Sequence, residues 1–315
     1  MELRHLRYLV ALARERSYTR AAKRLRIAQP ALSQQIQALE RELGVVLVER
    51  SNRTSGLTDA GSNLLVRAER ILLELEDATQ EMAAHAGVRG GVVRVGCALQ
   101  TLVEGPLAPL LATFHTRYPG VRILFREVHT RQVLERLQRG EVVLGLIHLG
   151  RVDRTLVGAQ AASPSISLAQ LYREPLVLIV GPRHRLASRS VVKLEELREE
   201  TFIGFRPGAT VRKMVALATK RRGFVPSIGF TTANMGTVRA FVSAGLGISV
   251  VPRSALEVPS PPLRALSIDG PRLERIVTLA RNTARYETAA VAAVHTLLTG
   301  ELRKLGPRSP GGPRS

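Results

Sequence analysis

Gln29, Ser33, Gln34 and Gln37 lie within one segment, SYTRAAKRLRIAQPALSQQIQALEREL, that runs from Ser17 to Leu43. On a 3.6-residue helix they share a flank opposite Leu32, Ile36, Leu39 and Leu43, whose spacings of four, three and four mark an inward face. Amide and hydroxyl side chains both donate and accept hydrogen bonds. Set in a row along a rod, they match the donor and acceptor pattern that base edges present in a DNA major groove. An amphipathic helix by itself signifies only a buried stripe, so the neighbouring elements carry the distinction.

Those elements are legible. Pro30 suits the first helical position and Gly44 the residue just past the end. Upstream, Tyr18 to Leu25 reads as a second short helix in which Ala21 and Ala22 allow a close helix crossing, and Arg26 to Gln29 has the length of the turn in a helix-turn-helix. A first helix from Leu3 to Glu15 places Leu3, Leu6, Val10 and Ala13 on one stripe, which predicts a three-helix core. Past Gly44, the β-branched run Val45 to Val48, the turn-rich Ser51 to Gly56 and Leu57-Thr58 predict a small β wing. The wing sets Arg50 and Arg53 against phosphates or a minor groove, and Thr19 of the second helix adds a backbone contact.

At 315 residues the chain is long enough for about two domains with their own cores. Its net charge of +20 comes almost wholly from arginine, a bias that GC-rich coding alone can produce. Distribution discriminates better. Between Met1 and Arg53 eleven Lys and Arg face five Glu, whereas from Asp59 to Glu81 the acids outnumber the bases. The first stretch attracts phosphate and the second stays off the duplex. The opening residues show no apolar signal-peptide core, and no run is long enough to span a bilayer, which predicts a cytoplasmic protein with no membrane partner. A single cysteine, Cys97, cannot form an internal disulfide or build a zinc site, and at a strand end it reads as a small buried hydrophobe.

From Thr58, a helix N-cap, to about Ala86 there is no proline, and Leu64, Ala68, Ile71, Leu75, Ala78 and Met82 step by four and three along one seam. That is a coiled-coil pattern, and a second copy of the chain is the partner it predicts. Beyond Arg89-Gly90-Gly91 strand-like and helical runs alternate. Strands are predicted at Val92–Cys97, Val121–Phe125 and Val142–Ile147, with helices at Val103–Arg117 and Thr130–Arg139. A second set follows, with strands Leu176–Val180, Thr201–Phe205, Ile228–Phe230 and Ile248–Val251 and helices Thr210–Arg221 and Met235–Ala244. After the strand Leu263–Ile268, a strand Ile276–Ala280 and a helix Thr288–Leu305 are expected to return to the first lobe. The alternation predicts α/β lobes on parallel sheets with crossover helices, and two such lobes form a hinged cleft at strand C-termini.

No catalytic set competes with a binding role. The chain lacks a Gly-x-Ser-x-Gly elbow, a P-loop, a dinucleotide fingerprint and a His-Glu-x-x-His pair. The histidines are scattered. His129 and His148 fall near predicted strand ends facing the cleft, where core or surface placement serves as well as ligand contact. A solute-binding protein with an N-terminal appendage, or an α/β enzyme such as a transferase, is the alternative class; the first needs an export signal and the second a nucleophile with a positioned base. The sequence offers neither.

The run RYLVALARERSYTRAAKRLRIAQPALSQQIQALERELGVVLVERSNRTSGLTDAG, with AA-x-x-L, AQPALSQQI, LE-x-ELG, L-x-ER and LT-x-AG in that order, resembles the N-terminal domain of LysR-type transcriptional regulators. It departs from the family at Val48, usually Phe, and at the wing tip SNRTSG, more often rich in Gly and Arg. A looser likeness to the family's effector domain runs through RVGCALQTLVEGPLAPLLATFHTRYPGV, EPLVLIVGPRHRLA, TFIGFRPGATVR and VSAGLGISVVP.

The resemblance implies a winged helix-turn-helix over 1–58 and a linker dimerisation helix over 59–90. A two-lobed domain like periplasmic solute-binding proteins follows over 91–305, with lobe I at 91–163 plus 269–305 and lobe II at 164–268. The tail 306–315 reads as disordered. It further implies a cytoplasmic homodimer, often a tetramer, that binds an interrupted inverted repeat in double-stranded DNA, addresses RNA polymerase, and needs neither cofactor nor metal.

Carried over by position, Ala98, Leu99, Gln100, Thr101 and Thr130 line the cleft from lobe I, and Phe205, Arg206, Pro207, Gly208 and Asn234 line it from lobe II. Hydroxyls, amides and helix N-termini there suit an anion, often a carboxylate, with Arg206 as a bidentate partner. Thr130 and Asn234 serve equally as helix caps. Leu99, and Val142-Val143-Leu144 in place of the family's Leu-Asp-Leu, predict a more apolar pocket than usual.

Overall fold

Helix α1 (Leu3–Glu15), α2 (Tyr18–Leu25) and α3 (Gln29–Leu43) form where the apolar spacing places them. The Ser17 hydroxyl caps α2 by accepting from Arg20 N at 3.4 Å. Pro30 sits in the first turn of α3, and Gly44 ends it at φ +69°, the left-handed cap that glycine adopts without strain. Leu9 and Leu12 of α1, Ala21 and Ala22 of α2, and Leu32, Ile36 and Leu39 of α3 close a dry core with Leu47 and Val48. The smaller Val48 is itself buried in that core.

Two sequence expectations change here. Leu6 and Val10 of α1 face α4 (Asp59–His85) through Ala68, while Leu9 and Leu12 enter the three-helix core and Leu3 is exposed. Helix α1 serves two neighbours, so its buried arc is wider than one stripe. Leu43 is exposed because the core ends one turn earlier, at Leu39. The wing begins as an antiparallel bridge between Val48 and Leu57, with Glu49 N donating to Gly56 O at 2.9 Å.

The Thr58 hydroxyl caps α4, accepting from Gly61 N at 3.0 Å and donating to Val46 O at 2.7 Å. Gly61 permits this closure: a Cβ there would stand 2.0 Å from the Leu47 carbonyl oxygen.

The structure, a computed structural model, describes residues 1–49, 56–85, 90–153, 155–157, 165–259, 261–285 and 287–305. The four helices above belong to one unit, built on Met1–Val88; a second is built on Arg89–Gln138 and Val142 onward. The expected wing tip and the tail 306–315 lie outside the described residues.

The second unit runs β1 (Gly91–Cys97), α5 (Gln100–Leu102), α6 (Ala108–Arg117), β2 (Val121–Glu127), α7 (Thr130–Arg139), β3 (Leu144–Val152), β4 (Thr155–Val157) and β5 (Ile166–Val180). It continues through β6 (Val191–Lys193), β7 (Thr201–Phe205), α8 (Thr210–Arg221), β8 (Ser227–Thr232), α9 (Met235–Ser243), β9 (Ser249–Pro252), β10 (Arg264–Asp269), β11 (Leu273–Asn282) and α10 (Ala289–Leu302). The sheet order is β2-β1-β3-β11-β5-β10-β6, with β4 on β3 and β9 on β5, while β7 and β8 form a parallel pair.

The sheet is mixed rather than parallel. β1 pairs in parallel with β2 and β3, but β11 runs antiparallel between β3 and β5. This is how β11 and α10 return to the first lobe, where Val277, Leu279, Val294 and Leu298 share a core with Val93, Val95, Leu144 and Leu146.

The expected strand Leu176–Val180 is the second half of a 15-residue strand, β5, whose first half pairs with β11 and whose second half pairs with β9 and β10. Its polar middle, Gln170 to Glu174, hides that continuity from a hydrophobicity reading. The expected helix Val103–Arg117 breaks at Gly105 and Pro106, so a wide turn separates α5 from α6. No helix among the described residues is long and apolar enough to cross a membrane.

Candidate DNA-reading face and interlobe cavity

Helix α3 divides cleanly. Leu32, Ile36 and Leu39 are fully buried, whereas Gln29, Pro30, Gln34 and Gln37 are exposed and Ser33 is half-buried at the edge. Thr19 is exposed in the first turn of α2; Arg50 and Arg53 lie outside the described residues. Two contacts that sequence reading missed hold α3 in place. His5 Nε2 meets Gln35 Oε1 at 2.9 Å, and Glu40 Oε1 accepts from Leu47 N at 2.8 Å and Val48 N at 3.1 Å. Glu40 thereby fastens the root of the wing to the helix. An acid directly after an amide-rich face was the available signal.

The dimerisation seam expected on α4 splits in two. Leu64 is half-buried on the helix-turn-helix core and Ala68 is buried against Leu6 and Val10. Ile71, Ala78 and Met82 are exposed and Leu75 is half-buried.

Between the two lobes of the second unit lies a cavity of about 350 Å³. Arg275 of β11 lines it, and Glu174 of β5 is its cross-strand partner. Arg275 is buried, donates to Glu174 Oε2 at 2.5 Å, and sends Nη2 to Thr101 Oγ1 at 2.9 Å and Ser254 Oγ at 3.1 Å. The Ser254 hydroxyl in turn donates to Thr101 Oγ1 at 3.0 Å.

On one wall, the Thr130 hydroxyl donates to the His148 carbonyl oxygen at 3.3 Å and ties α7 to β3. The His148 Nδ1 is buried and has no hydrogen-bond partner among the described residues. Burial first, then the charges of Arg275 and His129, pull the His148 pKa down to about 3. Burial, then Arg206 and Arg131, lowers that of His129. Both imidazoles are therefore neutral near pH 7. Among the described lining residues there are four cations, Arg131, Arg206, Lys213 and Arg275, and no carboxylate.

Comparison with known proteins gives this arrangement its family. Residues 3–62 match the bacterial regulatory helix-turn-helix protein family, lysR type, and residues 86–303 match the LysR substrate binding domain. The chain belongs to the LysR family. It is a DNA-binding transcriptional regulator with a substrate-binding domain. CfxR of Cupriavidus necator, an HTH-type transcriptional regulator, is 32% identical over 314 residues, 99% of this chain and 95% of that protein. YnfL of Escherichia coli, likewise an HTH-type transcriptional regulator by name, is 35% identical over 256 residues, 81% of this chain and 83% of its own. The structure of full-length CbnR complexed with its target DNA superposes with a TM-score of 0.69 at 26% identity, over 96% of this chain and 100% of that one.

In this LysR-type chain Ala98, Gln100, Thr101, Thr130, Phe205, Arg206 and Gly208 line the cavity. Three expected residues do not. Leu99 turns into the core of lobe I, Pro207 is exposed outside the lining, and Asn234 caps α9 by accepting from Thr237 N at 3.0 Å. Gln100 acts across the lobes: its side-chain Oε1 accepts from Met235 N, at the head of α9, at 3.0 Å. The regulator's one buried cation in that lining, Arg275, escaped sequence reading because its partner Glu174 lies 101 residues away.

Proposed function

We propose that this LysR-type regulator reads an interrupted inverted repeat through Gln29, Pro30, Ser33, Gln34 and Gln37, with Thr19, Arg50 and Arg53 on the phosphates. The observation that carries the reading is the partition of α3 into a sealed apolar face and a solvent face bearing three glutamines. Two reading heads require two chains, and the exposed Ile71, Ala78 and Met82 of α4 supply the apolar seam for a dimer that assembles further into a tetramer. The regulator works in the cytoplasm, has no enzymatic activity of its own, and addresses RNA polymerase as a further partner.

A small anionic effector, a carboxylate among the candidates, occupies the interlobe cavity, whose lining is cationic. It alters DNA recognition by binding two arrangements of the protein with different affinity, since a ligand indifferent to both shifts neither.

The test is a mobility shift with the gene's own upstream region, at two salt concentrations and against random duplex. Replacing Gln34 by Ala removes one base-edge contact worth about 1–3 kcal/mol. The specific affinity should fall roughly tenfold or more while affinity for random duplex holds. An unchanged ratio of specific to random binding refutes the assignment.

A further inference from the structure

We infer, resting on the reading of α3 as the helix that enters the DNA major groove, that Lys23 and Arg41 are its phosphate-positioning residues. Lys23 grips the backbone beside the leading end of α3, and Arg41 grips it past the far rim of the groove.

The carboxylates of the four-helix unit sort its cations. On α2, Arg20 and Arg24 lie one turn apart on one flank, and Glu15 holds both. Its Oε1 meets Arg24 Nη1 at 2.9 Å, its Oε2 stands 3.9 Å from Arg20 Nε, and its carbonyl oxygen accepts from Arg20 Nη2 at 2.5 Å. Thr19 and Lys23 lie one turn apart on the other flank, both exposed. Lys23 has no carboxylate partner among the described residues. The same reading places Thr19 on the DNA backbone, and Lys23 extends its line by one turn toward the helix-turn-helix corner. A lysine there is a point charge on a long flexible stem, which suits a phosphate.

On α3, Pro30, Gln34, Gln37 and Arg41 follow one another at spacings of four, three and four, so Arg41 continues the exposed line on which the glutamines stand. The acids on either side of it are spent. Glu40 accepts from Leu47 N and Val48 N, and Glu42 holds the amino group of Met1. Arg41 keeps one long contact, Nε to the Gln37 carbonyl oxygen of its own helix at 3.4 Å, and has no carboxylate partner among the described residues.

Distance along the rod decides what Arg41 touches. At about 1.5 Å per residue, Gln37 stands roughly 12 Å beyond Gln29 and Arg41 roughly 18 Å beyond it. The B-DNA major groove is about 12 Å wide. The glutamines fill that width, and Arg41 falls outside it, against the phosphates that border the groove. Arg20 and Arg24, with Glu15 between them, present an anion to any phosphate that approaches. Two free cations at the two ends of the reading line fix its register and tilt while carrying no sequence information themselves.

The experiment measures log affinity against log salt for the full chain on two duplexes, the gene's own upstream region and a random duplex of equal length. Lys23→Gln and Arg41→Gln should each lower the slope by about 0.9 per bound chain on both duplexes, leaving the ratio of specific to random binding unchanged. Lys23→Arg and Arg41→Lys should keep the wild-type slope. Arg24→Gln, which removes the same unit of charge, should keep it too. All three positions are exposed, so the fold should survive. An unchanged slope in Lys23→Gln or Arg41→Gln overturns the assignment of that residue, and an equal drop in Arg24→Gln overturns both in favour of net charge. A changed ratio in Arg41→Gln makes Arg41 a base reader and overturns its phosphate role. Any of these, with Gln34→Ala still losing the ratio, leaves α3 as the reading helix. If Gln34→Ala also keeps its ratio, the reading of α3 falls with the two cations.

Discussion

Cys97 shows what burial does to a reactive group. The thiol is 1% exposed at the end of β1, and desolvation pushes its pKa up to about 12. The thiolate is the nucleophile and the oxidisable form, so almost none is present at pH 8. Ellman's reagent should leave the folded chain unmodified and titrate one thiol per chain in guanidinium. Fast native labelling would mean that β1 opens, and would restore Cys97 as a candidate sensor. Cys97 was legible from sequence as a buried hydrophobe because strand position and residue type suffice. Arg275 was not, since an arginine in a β-run says nothing of a carboxylate on another strand.

Helices whose stability is local were the most legible elements. α1, α2, α7 and α8 begin and end where their apolar spacing puts them, and Ser17 caps α2. Elements that answer to several neighbours were less so. Helix α4 carries one continuous seam in the sequence, yet its first two residues are already packed within its own unit. The remaining surface makes a prediction at this scale: Ile71→Asp with Met82→Asp places charges on an exposed apolar strip and should convert a dimer to monomer in sedimentation at micromolar concentration. Both positions are exposed, at 42% and 58%, so the fold should survive. A wild-type chain that sediments only as monomer removes the seam from the account.

At the scale of the whole chain, the two-lobed plan was legible from alternation of strand and helix, but the way the lobes are joined was not. Register and direction depend on which strands meet, and β11 meets β3 and β5 only after the chain has built both lobes. The same packing makes stability depend on acid. His148 holds its proton only below about pH 3 when folded, against 6.5 for the ordinary side chain. Between those values the unfolded chain binds a proton that the folded chain refuses, so stability rises with pH there and is level above it. Urea unfolding at pH 7.5, 5.5 and 4.5 should show a falling midpoint, and His148→Leu should flatten the decline. An identical slope in the variant would place the acid sensitivity elsewhere.

Strands β5 and β11 run from one core to the other as an antiparallel pair that includes Glu174 and Arg275, with one register shift at Val277–Thr278. Such a joint is a leaf spring, not a door hinge. It resists wide swinging, because opening would shear a ladder of backbone hydrogen bonds, yet it yields to small twists. Whatever settles on Arg275 therefore pushes at the fulcrum, where the least displacement is needed to tilt either side.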